Sequence, residues 1–117
     1  GDINGEVKRI INETVLNNKP VAAMCMGPTV IAKALQGTDI KTTLTVGTTK
    51  EPSPYDIEAV SGGMEAAGAT AKMAPVEEAV VDADNKIVTA PCYMMEANIV
   101  EINKGLKKAI KQLFDWL

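Results

Sequence analysis

The 117-residue chain contains no histidine. A Cys-His dyad or a histidine-bearing zinc site therefore cannot be built from it alone. It has only two cysteines, Cys25 and Cys92, too few for a secreted disulfide framework, so reduced thiols are expected. No excess of positive charge is present: 12 basic against 15 acidic side chains leave a net charge of −3. Nucleic acid and anionic membrane surfaces are thereby disfavoured as partners, because both are recognised by a basic face. No stretch of eighteen apolar residues occurs, so no membrane span is expected and the chain reads as cytosolic or as a mature organellar protein.

What remains is ordinary for one globular domain, with 46% apolar and 23% charged residues. A domain of this size buries roughly two thirds of its unfolded surface, enough for a core. Asn4 or Asp2 is placed to cap a helix in which Val7, Ile10, Ile11 and Val15 recur at spacings of three and four. Val21–Met24 is apolar throughout, the pattern of a parallel strand covered on both faces. Pro28 suits a first helical turn, Val30, Ile31, Ala34 and Leu35 supply an apolar face, and Gly37 supplies a stop. Thr42–Val46 reads as a short strand and 47–54 as a loop. Ile57, Val60, Met64 and Ala67 keep a helical period, but Gly62-Gly63 interrupts it, so the helix is expected to begin there. Residues 79–82 and 86–90 flank Ala83-Asp84-Asn85 as a β-hairpin, and Ile99, Ile102, Leu106, Ile110, Leu113 and Leu117 mark a closing amphipathic helix. The alternation predicts an α/β fold with helices on both faces of a sheet. A domain of this class ordinarily opens with a strand, whereas Gly1-Asp2-Ile3-Asn4 leads straight into a helix. We therefore expect an N-terminal part to be missing.

The stretch VAAMCMGP, residues 21–28, carries the chemistry. It predicts a strand that ends at Cys25 and turns at once into a helix. Such a hinge projects its middle side chain past the carboxyl end of the strand, where ligands bind in open α/β sheets. Ala23 and Gly27, two positions to either side, are small enough for a tight turn. Unpaired amides and the positive end of a helix dipole favour thiolate over thiol, so such a hinge can activate a sulfur without a histidine. The plainer alternative is a small buried hydrophobe.

The segments KPVAAMCMGPTVIAKAL, LTVGT and AVVDADNKIVTAPCYM, with the closing helix, resemble the C-terminal half of the enhancing-lycopene-biosynthesis protein family. That family, also called sigma cross-reacting protein, has mitochondrial glyoxalase-like relatives and belongs to the PfpI-like, class I glutamine amidotransferase-like superfamily. The resemblance implies a flavodoxin-like three-layer sandwich lacking its N-terminal strands. It further implies a metal-free, cofactor-free glyoxalase-type activity in which Cys25 attacks a small α-oxoaldehyde. Met26 and Gly27 would polarise the substrate oxygen and Tyr93 would line the pocket. The family's glutamate partner and Gly-rich turn have no counterpart here, so turnover is expected to be poor. Self-association, or pairing with the missing half, would cover the sheet edge and apolar helix face left open.

The remaining candidates have simpler readings. Cys92 is expected to pack beside the site, and Tyr93 is otherwise a buried tyrosine bonded to backbone. Glu96 and Glu101 fit dipole placement at a helix start. Gly47-Thr48-Thr49 lacks phosphate-cradling spacing. The six methionines read as core filler, and Lys104, Lys107, Lys108 and Lys111 as a solvated face.

Overall fold

The structure, a computed structural model, describes residues 4–117. Helix α1, Gly5–Leu16, starts where the Asn4 side chain accepts a hydrogen bond from the Glu6 amide at 2.8 Å. Asp2, the other candidate cap, lies outside the described residues. Strand β1, Val21–Met24, leads through the Cys25 hinge into helix α2, Gly27–Ala34, with Pro28 in its first turn. Strand β2, Thr43–Leu44, is followed by helix α3, Ile57–Ala66, and strand β3, Thr70–Ala71. The expected hairpin forms from β4, Val80–Asp82, and β5, Ile87–Ala90, with Val81 opposite Val88. A 3₁₀ turn at Cys92–Met94 precedes helix α4, Ile99–Asp115.

β5 is the keystone of a three-stranded sheet ordered β1-β5-β4, parallel to β1 and antiparallel to β4. All four β5 residues are fully buried, so both faces of the sheet are covered at its centre. α4 packs on β5 and β1, α2 packs on β1, and α1 and α3 pack on α2. β2 and β3 form a separate parallel pair. Side chains, not a ladder, join β2 to the hairpin: the Thr43 amide donates to Asp82 Oδ2 at 2.9 Å and the Thr45 amide to Thr89 Oγ1 at 3.0 Å. Both acceptors are buried, so each bond also satisfies a group that would otherwise be costly to leave unpaired.

Three expectations are corrected, and one strand was not anticipated. Val21–Met24 is only half-buried, because β1 has β5 as its single partner and stands at the sheet edge among the described residues. Ladder pairing in Thr42–Val46 is confined to Thr43–Leu44, although Thr45 and Val46 are fully buried. α3 begins at Ile57 and runs through Gly62-Gly63. The Asp56 side chain caps it by accepting from the Ala59 amide at 3.1 Å, and burial of Ile57, Ser61 and Met64 offsets the low helix propensity of two glycines. β3 was not legible at all, being two residues long.

The apolar stripes are only partly covered. In α1 Val15 is buried while Val7 and Ile10 are exposed; in α4 Ile102 and Ala109 are buried while Ile110 is exposed, as is Leu117 just beyond the helix. Gly105 is the close-approach point of α4, where a Cβ would collide with the Val76 carbonyl. The lysine face is solvated as expected, with Lys104 and Lys108 paired to Glu77 and Glu78.

Candidate functional site

Because β1 and β5 run parallel, their carboxyl ends open on one rim of the sheet. Met24 is the last β1 residue, opposite Ala90, the last of β5, and the next amide, that of Cys25, donates to the Ala90 carbonyl at 3.1 Å. Cys25 adopts φ 60°, the left-handed region that a residue with a Cβ enters at a cost of about 1 kcal/mol. The hinge therefore has the strained geometry expected of it. Its small neighbours are required sterically, since a Cβ on Gly27 would sit 3.2 Å from the Ala23 Cβ. Cys25 itself is half-buried and carries a free thiol.

Met26 is the N-cap of α2 and supplies no side-chain cap. Among the described residues neither its amide nor that of Gly27 finds an acceptor. The two residues that follow Cys25 thus leave amide donors without acceptors at the start of α2, the positive end of that helix. The Met26 side chain is 43% exposed and lines, with Thr29, Lys33, Val60 and Met64, a mostly apolar groove of about 220 Å³ between α2 and α3.

The loop after β5 brings the other candidates to the same rim. Cys92 has φ 48° and is 5% exposed. Burial, and secondarily the charge of nearby Cys25, push the Cys92 thiol up from its ordinary value. It is therefore a protonated, shielded thiol at neutral pH, packed beside the site. Of the two readings of Tyr93, the buried, backbone-bonded ring is excluded, since the residue is 60% exposed. Glu96 is exposed and its amide donates to the Pro52 carbonyl at 2.9 Å. Glu101 completes a capping box with Asn98, which accounts for its position. Met64, Met94 and Met95 are core residues, but Met26 and Met73 are exposed, so the methionines are not all filler. Among the described residues no group of three or more His, Cys, Asp or Glu is placed to hold a metal ion.

Sequence reasoning missed how closely the 47–55 loop closes on this rim. Ser53 Oγ donates to the Met94 carbonyl, and Gly47, at φ 125°, lies so near Met95 that a Cβ would meet its sulfur at 2.5 Å. The loop borders a polar hollow of about 240 Å³ lined by Thr48, Thr49, Glu51 and Asp56 among others. Its only sequence signal was a glycine followed by hydroxyl-bearing residues, which reads equally well as an ordinary connection.

No protein-family model matches the chain. It is similar to the ES1 protein homolog, mitochondrial, of Rattus norvegicus, with 31% identity over 116 residues covering 97% of this chain. It is equally similar, at 31% identity over 116 residues, to the glutamine amidotransferase-like class 1 domain-containing protein 3, mitochondrial, of Homo sapiens. In both cases the match takes in 41% of the relative, so the chain spans about two fifths of their length. A solved structure from Ehrlichia chaffeensis, described as an isoprenoid biosynthesis protein with an amidotransferase-like domain, superposes with TM-score 0.80. It shares 22% identity and covers 95% of this chain and 47% of its own, a likeness that establishes the amidotransferase-like, flavodoxin-like fold.

Proposed function

We propose, from the premise that this chain is a partial relative of glutamine amidotransferase-like class 1 domain proteins, that it bears the nucleophile of a cofactor-independent, glyoxalase-like reaction on small α-oxoaldehydes. One observation carries the reading: a left-handed Cys25 on a strand-to-helix hinge, flanked by two amides without acceptors. The Cys25 sulfur adds to the aldehyde carbon of methylglyoxal, forming a C–S bond as the carbonyl π pair moves to oxygen. The Met26 and Gly27 amides hydrogen-bond that oxygen, and a proton completes the thiohemiacetal. Moving the hydrogen from the former aldehyde carbon to its neighbour oxidises the first and reduces the second, so no external oxidant is needed. Water then releases the hydroxy acid and restores the thiol.

The hydrogen shift needs a base, and this chain offers no histidine for it. Addition is accordingly expected to outpace turnover. Incubation with methylglyoxal, followed by assay of lactate and of the mass of the Cys25 peptide, tests the reading. Cys25→Ser is expected to reduce consumption to background while Cys92→Ser retains most of it, and the reverse pattern overturns the assignment. The compartment stays within the proposal. Composition fits the cytosol, the named relatives are mitochondrial, and no helix among the described residues is long and apolar enough to cross a membrane.

A second reading, a non-catalytic α/β module that works by assembly, is favoured by the free edge of β1. Among the described residues the Ala22 and Met24 amides, which point away from β5, have no partner. A second copy, or a chain supplying the portion of the relatives unmatched here, would pair that edge and cover Val7 and Ile10. Light scattering is expected to find at least a dimer. A monomer with a cooperative melt counts against it.

A further inference from the structure

The chemistry above leaves Cys92 without a role, although it is the other nucleophilic side chain on the rim. β1 and β5 pair in register from Val21 opposite Ile87 to Met24 opposite Ala90. The chain leaves β1 directly into Cys25 and leaves β5 through Pro91 into Cys92. Both cysteines thus follow the same last rung, at the same end of the sheet. The hydrogen bond from the Cys25 amide to the Ala90 carbonyl pins one backbone to the other there. Both residues adopt left-handed φ, 60° and 48°, which among the described non-glycine residues is shared only with Asn18 and Lys86. Cys25 packs against the core cluster that contains Cys92, and both thiols are free. Their accessibility differs: Cys25 is reachable and Cys92 is shielded.

We infer that Cys25 and Cys92 form a redox pair, in which a hydroperoxide oxidises Cys25 and Cys92 then closes an intramolecular disulfide that reversibly masks the nucleophile. In the first step the Cys25 thiolate attacks the terminal peroxide oxygen. The O–O bond breaks, the leaving alkoxide or hydroxide takes a proton, and Cys25 becomes a sulfenic acid, having given up two electrons. In the second the Cys92 sulfur attacks the Cys25 sulfur. The S–O bond breaks, and hydroxide leaves as water with the Cys92 proton. Adjacent strands lie about 4.8 Å apart at the Met24–Ala90 rung that precedes both cysteines, and Cys92 stands one residue past Pro91, so closure requires the short turn at Cys92–Met94 to shift toward Cys25. A shielded Cys92 leaves an incoming aldehyde to Cys25, yet remains beside it when Cys25 is oxidised.

The inference shares with the glyoxalase-like reading the accessibility of Cys25 but not its attack on aldehydes, so its test uses no aldehyde. The full chain is treated with hydrogen peroxide and followed by intact mass and peptide mapping under non-reducing conditions. The expected product has lost two hydrogens, yields a peptide joining Cys25 to Cys92, and returns to the starting mass with dithiothreitol. In Cys92→Ser the same treatment is expected to drive Cys25 to the sulfinic acid, a gain of two oxygens that dithiothreitol does not reverse, about tenfold faster than in the wild type. Sulfinic acid forming in the wild type without the linked peptide, or a disulfide found only between two chains, overturns the inference. The wild-type mapping decides the question even if Cys92→Ser does not fold. A linked pair in a protein inert toward methylglyoxal leaves this inference standing while removing the proposed function.

Discussion

The ends of β1 and β5 carry the same residue type in the same left-handed backbone, yet they make two different thiols. Among the described residues β1 has one partner strand and is half-buried along its length, and the cysteine that follows it is half-open to solvent. β5 lies between two strands, is fully buried, and is followed by a cysteine that is 5% exposed. Helix α2 begins two residues after Cys25, with the Met26 and Gly27 amides unpaired among the described residues, whereas Cys92 opens a single 3₁₀ turn and is buried. Position within the sheet, not local backbone strain, separates the half-exposed thiol from the shielded one.

The widest gap between them should appear in alkylation. Iodoacetamide at neutral pH is expected to label Cys25 about a hundredfold or more faster than Cys92, because Cys92 reacts only through rare opening of the core. Equal rates, read by mass spectrometry of the two peptides, would erase the distinction and remove the physical basis of the nucleophile. Gly27→Val probes the β1 end alone. Forcing a branched side chain against Ala23 should cost about 1–3 kcal/mol in denaturant unfolding and lower methylglyoxal consumption more than proportionately, by displacing the hinge. Unchanged consumption would show that the tight turn is not what presents the sulfur.

The smallest effect lies at the β5 end and depends on pH. Burial raises the Cys92 thiol above its unfolded value of about 8.5, so the fold prefers the protonated form. That preference contributes stability in full below the unfolded value, and it is lost as pH rises through the folded one. Unfolding free energy measured between pH 7 and 10 should therefore fall more steeply for the wild type than for Cys92→Ser. Parallel curves would mean that Cys92 is solvated, and the two ends would then be alike.

Legibility followed the range of the forces involved. The hairpin at 79–90 and the closing helix were readable because their signals are local: two β-branched, apolar runs about a short polar turn, and apolar residues recurring at intervals of three and four. The hinge was readable for the same reason, since Ala23 and Gly27, two positions to either side of Cys25, approach one another closely. α3 was misjudged at its start because tertiary burial of Ile57 and Met64 overrode two glycines. The exposure of Tyr93 could not be read locally, because nothing in the sequence states which way a ring leaves a 3₁₀ turn. The join between β2 and the hairpin was invisible, since it runs through Asp82 and Thr89 side chains to partners 39 and 44 residues away.

By itself the sequence determined the elements, the order in which they alternate, and the presence of a thiol where a strand becomes a helix. Each follows from residues within a few positions of one another, where steric limits and local hydrogen bonds act. Only the tertiary structure decided that β1 is an edge, that Cys92 is buried beside Cys25, and that the 47–55 loop reaches the same rim. Exposure and proximity depend on which segments pack together, and residues distant along the chain supply that packing.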